Sequence, residues 1–193
     1  MQKREKASEA TIKSFLDSLR SDWARAGRSE RYMKELIAYI LQARRASVSW
    51  LSISRETSIA SSHTAQVYVE TLQKLLIANT LEFISPQGKV VHRKNKKVHF
   101  SDPLAYHAFA SFARVNTDEP ALVEGIVASH LARISEVYYC KNSSEVDAIV
   151  NQNGKLIGIE TKWGFKKSHK PRHLIKFVIL NKRTLPLFLC SLG

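Results

Sequence analysis

Apolar positions repeat at helical spacing through the first part of the chain. Between Ser8 and Ala26 they are Ile12, Phe15, Leu16, Leu19 and Trp23, which predicts an amphipathic helix, with Gly27 as its stop. A second stripe, Tyr32, Met33, Leu36, Ile37 and Ile40, predicts a helix from about Ser29 to Gln42. Ser49 is placed to cap a short helix over Trp50 to Glu56, and Thr57, Ser58, Ile59 and Ala60 make a turn. Ser61 or Ser62 then caps a longer helix running to about Leu76, with Ala65, Val69, Leu72 and Leu76 inward and Ser62, His63, Gln66, Glu70 and Lys74 outward.

Past residue 80 the period changes. Leu81 to Ser85 and Lys89 to Phe100 alternate well enough for two strands around a Pro86-Gln87-Gly88 turn. Three helices followed by a basic ribbon describe a winged helix, with its third helix facing a major groove and the ribbon on phosphates. Asp102-Pro103 and Asp118-Glu119-Pro120 break the chain on either side of a helix from Leu104 to Phe112, and a domain boundary is expected near residue 115. Then come a helix from Leu122 to Ile134, strands at Val137 to Lys141, Glu145 to Asn151 and Lys155 to Trp163, a further helix and a last strand. No internal repeat is present. The expected organisation is an N-terminal helix (1–28), a winged-helix domain (29–114) and a second domain (115–193), α/β in class and α+β overall.

Charge adds a partner. The 193 residues hold 30 Lys and Arg against 17 Asp and Glu, a net charge of +13. A balance this basic fits a polyanion, with DNA first. The cations are also clustered. Lys89, Arg93, Lys94, Lys96 and Lys97 fall within nine residues, and Lys166, Lys167, Lys170 and Arg172 stand in a tail with no acidic residue after Glu160. With Ser62, His63 and Gln66 of the third helix, these are the candidate nucleic-acid contacts. Arg is absent from the first turns of that helix, so contact is expected without base readout. No apolar run reaches the ~18 residues of a membrane span. Two cysteines, Cys140 and Cys190, form no disulfide framework or zinc spacing and read as buried thiols in a reducing, cytoplasmic setting. The seven histidines show no metal-ligand spacing.

The candidate chemistry lies in the second half. Asn153-Gly154 signals a two-residue hairpin, and that turn puts Gln152 opposite Lys155, Asp147 opposite Glu160 and Glu145 opposite Lys162. One face then carries Val146, Ala148 and Val150 against Thr161, Ile159 and Ile157; the other carries Glu145, Asp147 and Ile149 against Lys162, Glu160 and Gly158. Directly opposed side chains have Cβ atoms roughly 4.5–5.5 Å apart. Two carboxylates that close call for a proton or a divalent cation, and Mg²⁺ or Mn²⁺ is the expected cofactor on Asp147 and Glu160. Lys162 would polarise a bound water.

Glu124 on a helix, EVDAIV with Asp147 and GIETKW with Glu160 and Lys162 resemble the PD-(D/E)xK nuclease superfamily. More narrowly, the run from the predicted winged helix through VHFSDPLAYH, LVEGIVASHL and IGIETKWG resembles the C-terminal half of archaeal AAA-type ATPases of unknown function, from about Arg31 onward. The resemblance implies a restriction-endonuclease-like α-β-β-β-α-β domain with a mixed sheet. It also implies Asp147 and Glu160 as metal ligands, Lys162 as catalytic lysine and Glu124 as an auxiliary carboxylate. Val146 stands where the motif's proline would be, and no Walker A loop occurs, so the ATPase half of the likeness is missing.

Three readings follow. The first is a DNA-associated, metal-dependent phosphodiester-cleaving nuclease joined to a winged helix. The second is a non-catalytic DNA-binding or assembly module on the same fold. The third is a regulatory partner docking an AAA-type ATPase through an exposed Ile12, Phe15, Leu19 and Trp23 stripe. A homo-oligomer is a further possible partner state.

Overall fold

The computed structural model describes residues 7–141, 145–152 and 155–163, with positions 162–163 and 185–192 as backbone alone. Six helices occur among them: α1 (Glu9–Arg25), α2 (Glu30–Ala43), α3 (Trp50–Glu56), α4 (Ser62–Lys74), α5 (Pro103–Ala113) and α6 (Glu119–Ala132). Each starts on a Ser or Asp whose side-chain oxygen accepts an otherwise unpaired backbone N–H: Ser8, Ser29, Ser49, Ser61, Asp102 and Asp118. At α3 the cap is reciprocal, Ser49 and Ser52 each accepting the other's N–H. These local bonds explain why the starts of α1 to α5 follow the sequence closely; α6, capped by Asp118, begins at Glu119, three residues before the expected Leu122.

The strands are β1 (Ala78–Phe83), β2 (Lys97–Phe100), β3 (Glu136–Lys141), β4 (Glu145–Gln152), β5 (Lys155–Trp163) and β6 (Leu185–Leu192). They form one mixed sheet in the order β2-β1-β3-β4-β5-β6. Neighbours are antiparallel except β1 with β3 and β5 with β6, which are parallel. The sheet thus crosses residue 115 without a break, through Glu82 beside Tyr138 and Phe83 beside Tyr139. The further helix expected before the last strand, and the tail cations Lys166, Lys167, Lys170 and Arg172, lie outside the described residues.

Trp23, Met33, Leu36, Ile37, Val69, Leu72 and Phe109 anchor the core among the helices. Trp23 sits 6.4 Å from the Phe109 ring and 5.9 Å from the Phe112 ring of α5. Leu16, Leu19 and Trp23 are buried, and Ile12 and Phe15 are half-buried against the same core. The stripe offered for docking an ATPase is therefore covered by α5, because a helix this apolar on one side gains most by burying it within its own chain.

A second core lies between α6 and the sheet, where Val127 and Leu131 meet Ala148, Val150 and Ile159. The opposite sheet face packs Ile84, Cys140, Val146, Ile149 and Leu156. Gly125 lets α6 come close to β2: a Cβ there would stand 3.2 Å from the His99 Cβ and 3.3 Å from the Phe100 carbonyl oxygen.

Two local expectations need correction. Leu76 is not inward; it is 82% exposed with φ +60°. It occupies the left-handed position just past α4, where Ile77 N–H returns to the Leu72 carbonyl, so the chain reversal swings its side chain outward. The ribbon is also shorter than expected. Its turn forms, with Gly88 at φ +83°, an Ile84–Val90 bridge and the Val91 N–H on the Phe83 carbonyl, yet the continuous ladder of the ribbon joins β1 to residues 97–100 alone. The intervening chain leaves β1 because Lys96 exchanges two backbone hydrogen bonds with Val48, at 2.7 and 2.8 Å.

Candidate functional site

β2 is buried along all four residues, Lys97 and His99 included. Lys97 was expected on a phosphate track, but its side chain is 1% exposed. Its ammonium passes 5.9 Å from the Tyr139 ring and donates to Glu124 Oε1 of α6 at 2.5 Å. Glu145 Oε1 lies 2.6 Å from it and Asp147 Oδ1 3.9 Å, both on β4. Three carboxylates from two elements thus face one buried ammonium contributed by a third.

Asp147 reaches this cluster through a bulge. Tyr138 pairs with Ile149 but Cys140 pairs with Val146, so Tyr139 opposes two residues, Asp147 and Ala148. The bulge puts Asp147 on the α6 side with Ala148, and its Oδ2 accepts both the N–H and the hydroxyl of Thr161 at 2.9 Å. From Ala148–Ile159 to Gln152–Lys155 the β4–β5 register is the expected one.

Glu160 does not share that face. It stands between Ile159, which packs beneath α6, and Thr161, which bonds Asp147; strand alternation turns it to the side of Leu156, where it is buried. The expected convergence of Asp147 with Glu160 is corrected on this point: the bulge changes the parity of β4, whereas β5 keeps its own. Lys162 lies on β5, and its side chain is outside the described residues.

A divalent cation on Asp147 and Glu160 does not fit this arrangement. The two carboxylates leave the sheet on opposite faces, and Glu124, Glu145 and Asp147 already turn to an ammonium. Among the described residues no group of three or more His, Cys, Asp or Glu side chains is disposed to hold a metal ion.

Burial and charge set the protonation of the cluster. Burial pushes the Glu124 carboxyl up to about 7, against the pull of Lys97 and with the push of Asp147. Burial acts to lower the Lys97 ammonium, but Glu124, Glu145 and Asp147 outweigh it and hold it above the ordinary lysine range. His99, fully enclosed and near Lys97, is lowered to about 3 and stays neutral. Its Nε2 stands 3.7 Å from Glu124 Oε1, beyond hydrogen-bond reach. Cys140 is a buried thiol raised to about 11 by burial.

The chain matches no protein-family model, no curated protein and no solved structure.

The other candidates lie at the surface. Ser62 and His63 are exposed on the first turn of α4, while Gln66 is half-buried and donates to Glu70 Oε1 at 2.9 Å. Glu35 of α2 accepts the Ser58 N–H, and Arg31 donates to the Ser58 hydroxyl at 2.8 Å, which fixes the turn between α3 and α4. Lys89, Arg93 and Lys94 are exposed, whereas Lys96 is buried and donates to the His92 and Lys94 carbonyls, with Glu82 at 3.3 Å. Lys96 is therefore withdrawn from the phosphate track along with Lys97.

The Val48–Lys96 bridge has a further effect. It ties the loop holding exposed Arg44 and Arg45 to the stretch before β2; its antiparallel sense carries Arg45 towards the β2 side and Arg93 the other way, and Arg44 lies 3.5 Å from Asp118. Neither arginine was singled out from the sequence, because nothing local ties residue 48 to residue 96. Lys97 was misjudged for a similar reason, although the alternation Lys97–His99 does place both side chains on one strand face.

No helix among the described residues is long and apolar enough to cross a membrane.

Proposed function

We propose that this chain is a nucleic-acid-binding module of winged-helix type, carrying a nuclease-like sheet whose carboxylates serve structure rather than cleavage. The observation behind this reading is the run of exposed Lys89, Arg93 and Lys94, anchored where Lys96 pairs with Val48, on a chain of net charge +13. Exposed guanidinium and ammonium groups held by a fixed backbone can replace condensed counterions along a phosphate backbone. Base readout is not part of the proposal: the Gln66 amide is tied to Glu70 on its own helix.

Duplex DNA titrated by fluorescence anisotropy at several salt concentrations tests it. Replacing Lys89, Arg93 and Lys94 together by Ala should weaken binding to all sequences alike. It should also reduce the slope of log affinity against log salt by about 2 to 3, at ~0.9 for each phosphate that is no longer neutralised. Equal binding by wild type and variant across the salt range would refute the basic edge as the contact surface.

Metal-dependent phosphodiester cleavage is the second reading. The convergence of Glu124 and Asp147 on Lys97 favours it; the turn of Glu160 to the other face speaks against it. Incubation of wild type and Glu160→Ala with Mg²⁺ or Mn²⁺ on single-stranded, duplex, flap and junction DNA separates the two. Cleavage by the wild type that the variant loses would replace the binding-module reading.

A further inference from the structure

The geometry points to Lys97 as a built-in cation: its ammonium fills the centre between Glu124, Glu145 and Asp147, and a divalent ion binds there only once that ammonium is removed. This goes beyond the binding-module reading, and its test uses no DNA.

Three features of the centre bear on what it can hold. The first is the fit of the ammonium. Its nitrogen stands 2.5 Å from Glu124 Oε1 and 2.6 Å from Glu145 Oε1, with Asp147 Oδ1 at 3.9 Å. Oxygen ligands sit at about 2.3–2.6 Å from Ca²⁺ and about 2.0–2.1 Å from Mg²⁺. The ammonium therefore occupies the volume a hard cation would need, and the two cannot be present together. The second is charge balance. One ammonium faces three carboxyl groups, and only Glu145 has a second cation beside it, Lys141; removal of the ammonium leaves Glu124 and Asp147 without a cation beside them among the described residues, an arrangement that recruits a cation or a proton. The third is an oxygen left over. Glu124 is 1% exposed, and its Oε2 has no hydrogen-bond partner among the described residues. A lysine has a limited number of N–H donors and a fixed tether, whereas a metal ion can draw on a second oxygen of the same carboxylate.

Asp147 is held in place independently of Lys97, by the Thr161 N–H and hydroxyl on its other oxygen. Loss of the ammonium therefore leaves at least one carboxylate of the site fixed in direction. Glu145 is the most exposed of the three, and Lys141 lies 3.2 Å from its other oxygen, so it marks the side from which an ion would enter.

The probe is Mn²⁺, read by paramagnetic broadening of backbone amide signals and by loss of the free-ion electron-spin signal. In the wild type, amides 124, 145 and 147 should broaden no more than the rest of the chain. In Lys97→Met, Mn²⁺ should bind saturably and broaden those amides selectively, with affinity raised about tenfold or more by the unpaired carboxylates. Adding Glu124→Gln to Lys97→Met should return affinity towards the wild-type level. Selective broadening of these amides in the wild type, removed by Glu124→Gln, would overturn the proposal, as would a folded Lys97→Met with no gain in binding. Lys97→Gln serves as a second variant. Should neither variant fold alone, added Mn²⁺ must induce folding, read by circular dichroism, and its failure to do so would equally overturn the proposal.

Discussion

Replacing Glu124 by Gln should give a protein that gains about 2 kcal/mol of stability relative to the wild type from pH 5 to pH 7.5. Two buried groups with opposite linkage bear on that window. Burial raises the Glu124 carboxyl from 4.5 to about 7, so the folded state binds its proton more tightly than the unfolded chain. Its stabilising contribution is full below 4.5 and is lost as pH rises through 7, a fall of about 2 kcal/mol between pH 5 and 7.5 at 1.36 kcal/mol per unit. Burial, with Lys97 nearby, lowers His99 from 6.5 to about 3, so here the unfolded chain binds the proton more tightly. Its contribution is full above 6.5 and is lost as pH falls towards 3, which over the same window is a rise of about 2 kcal/mol with increasing pH. In the wild type the two slopes oppose each other. Glu124→Gln keeps only the His99 slope and should become more stable as pH rises; His99→Gln keeps only the Glu124 slope and should become less stable. Urea unfolding followed by the fluorescence of buried Trp23 at pH 5, 6, 7 and 7.5 measures each profile, and the differences between proteins cancel every other titrating group. Parallel profiles for the three proteins would refute the reasoning, since neither group would then be titrating differently in the folded and unfolded states.

Leu76→Gly should stabilise the protein by about 0.5–1 kcal/mol in the same assay, because it relieves a left-handed aliphatic residue that buries almost nothing. A loss of stability there would mean that Leu76 makes a contact of its own. Gly125→Ala should destabilise by about 1–3 kcal/mol and lower the unfolding temperature, since its Cβ would press on His99 and the Phe100 backbone.

The residues that start and pace the helices act over three or four positions, and for that reason they are legible in the sequence. Ser29, Ser49, Ser61, Asp102 and Asp118 each satisfy an N–H within their own first turn, whatever surrounds the helix. The β4–β5 register is local too, since a two-residue link leaves Gln152 little choice but to face Lys155. The same local reasoning extended to Asp147 failed. The β4 bulge is set by pairing with β3, and one extra residue reverses which face a side chain takes.

Tertiary structure alone decided what the charges do. Nothing near Lys97 in sequence distinguishes it from Lys94. One side chain points to solvent, and the other is buried because β2 lies beneath α6, where Gly125 permits close approach and Glu124 supplies the opposite charge. Lys96 likewise leaves the basic stretch only through its pairing with Val48, far away in sequence. Helix caps and tight turns are settled by energies within a few residues of each other along the chain. The burial of a charge and the face of a bulged strand depend on partners far away in sequence, and those partners are brought together only when the whole sheet has formed.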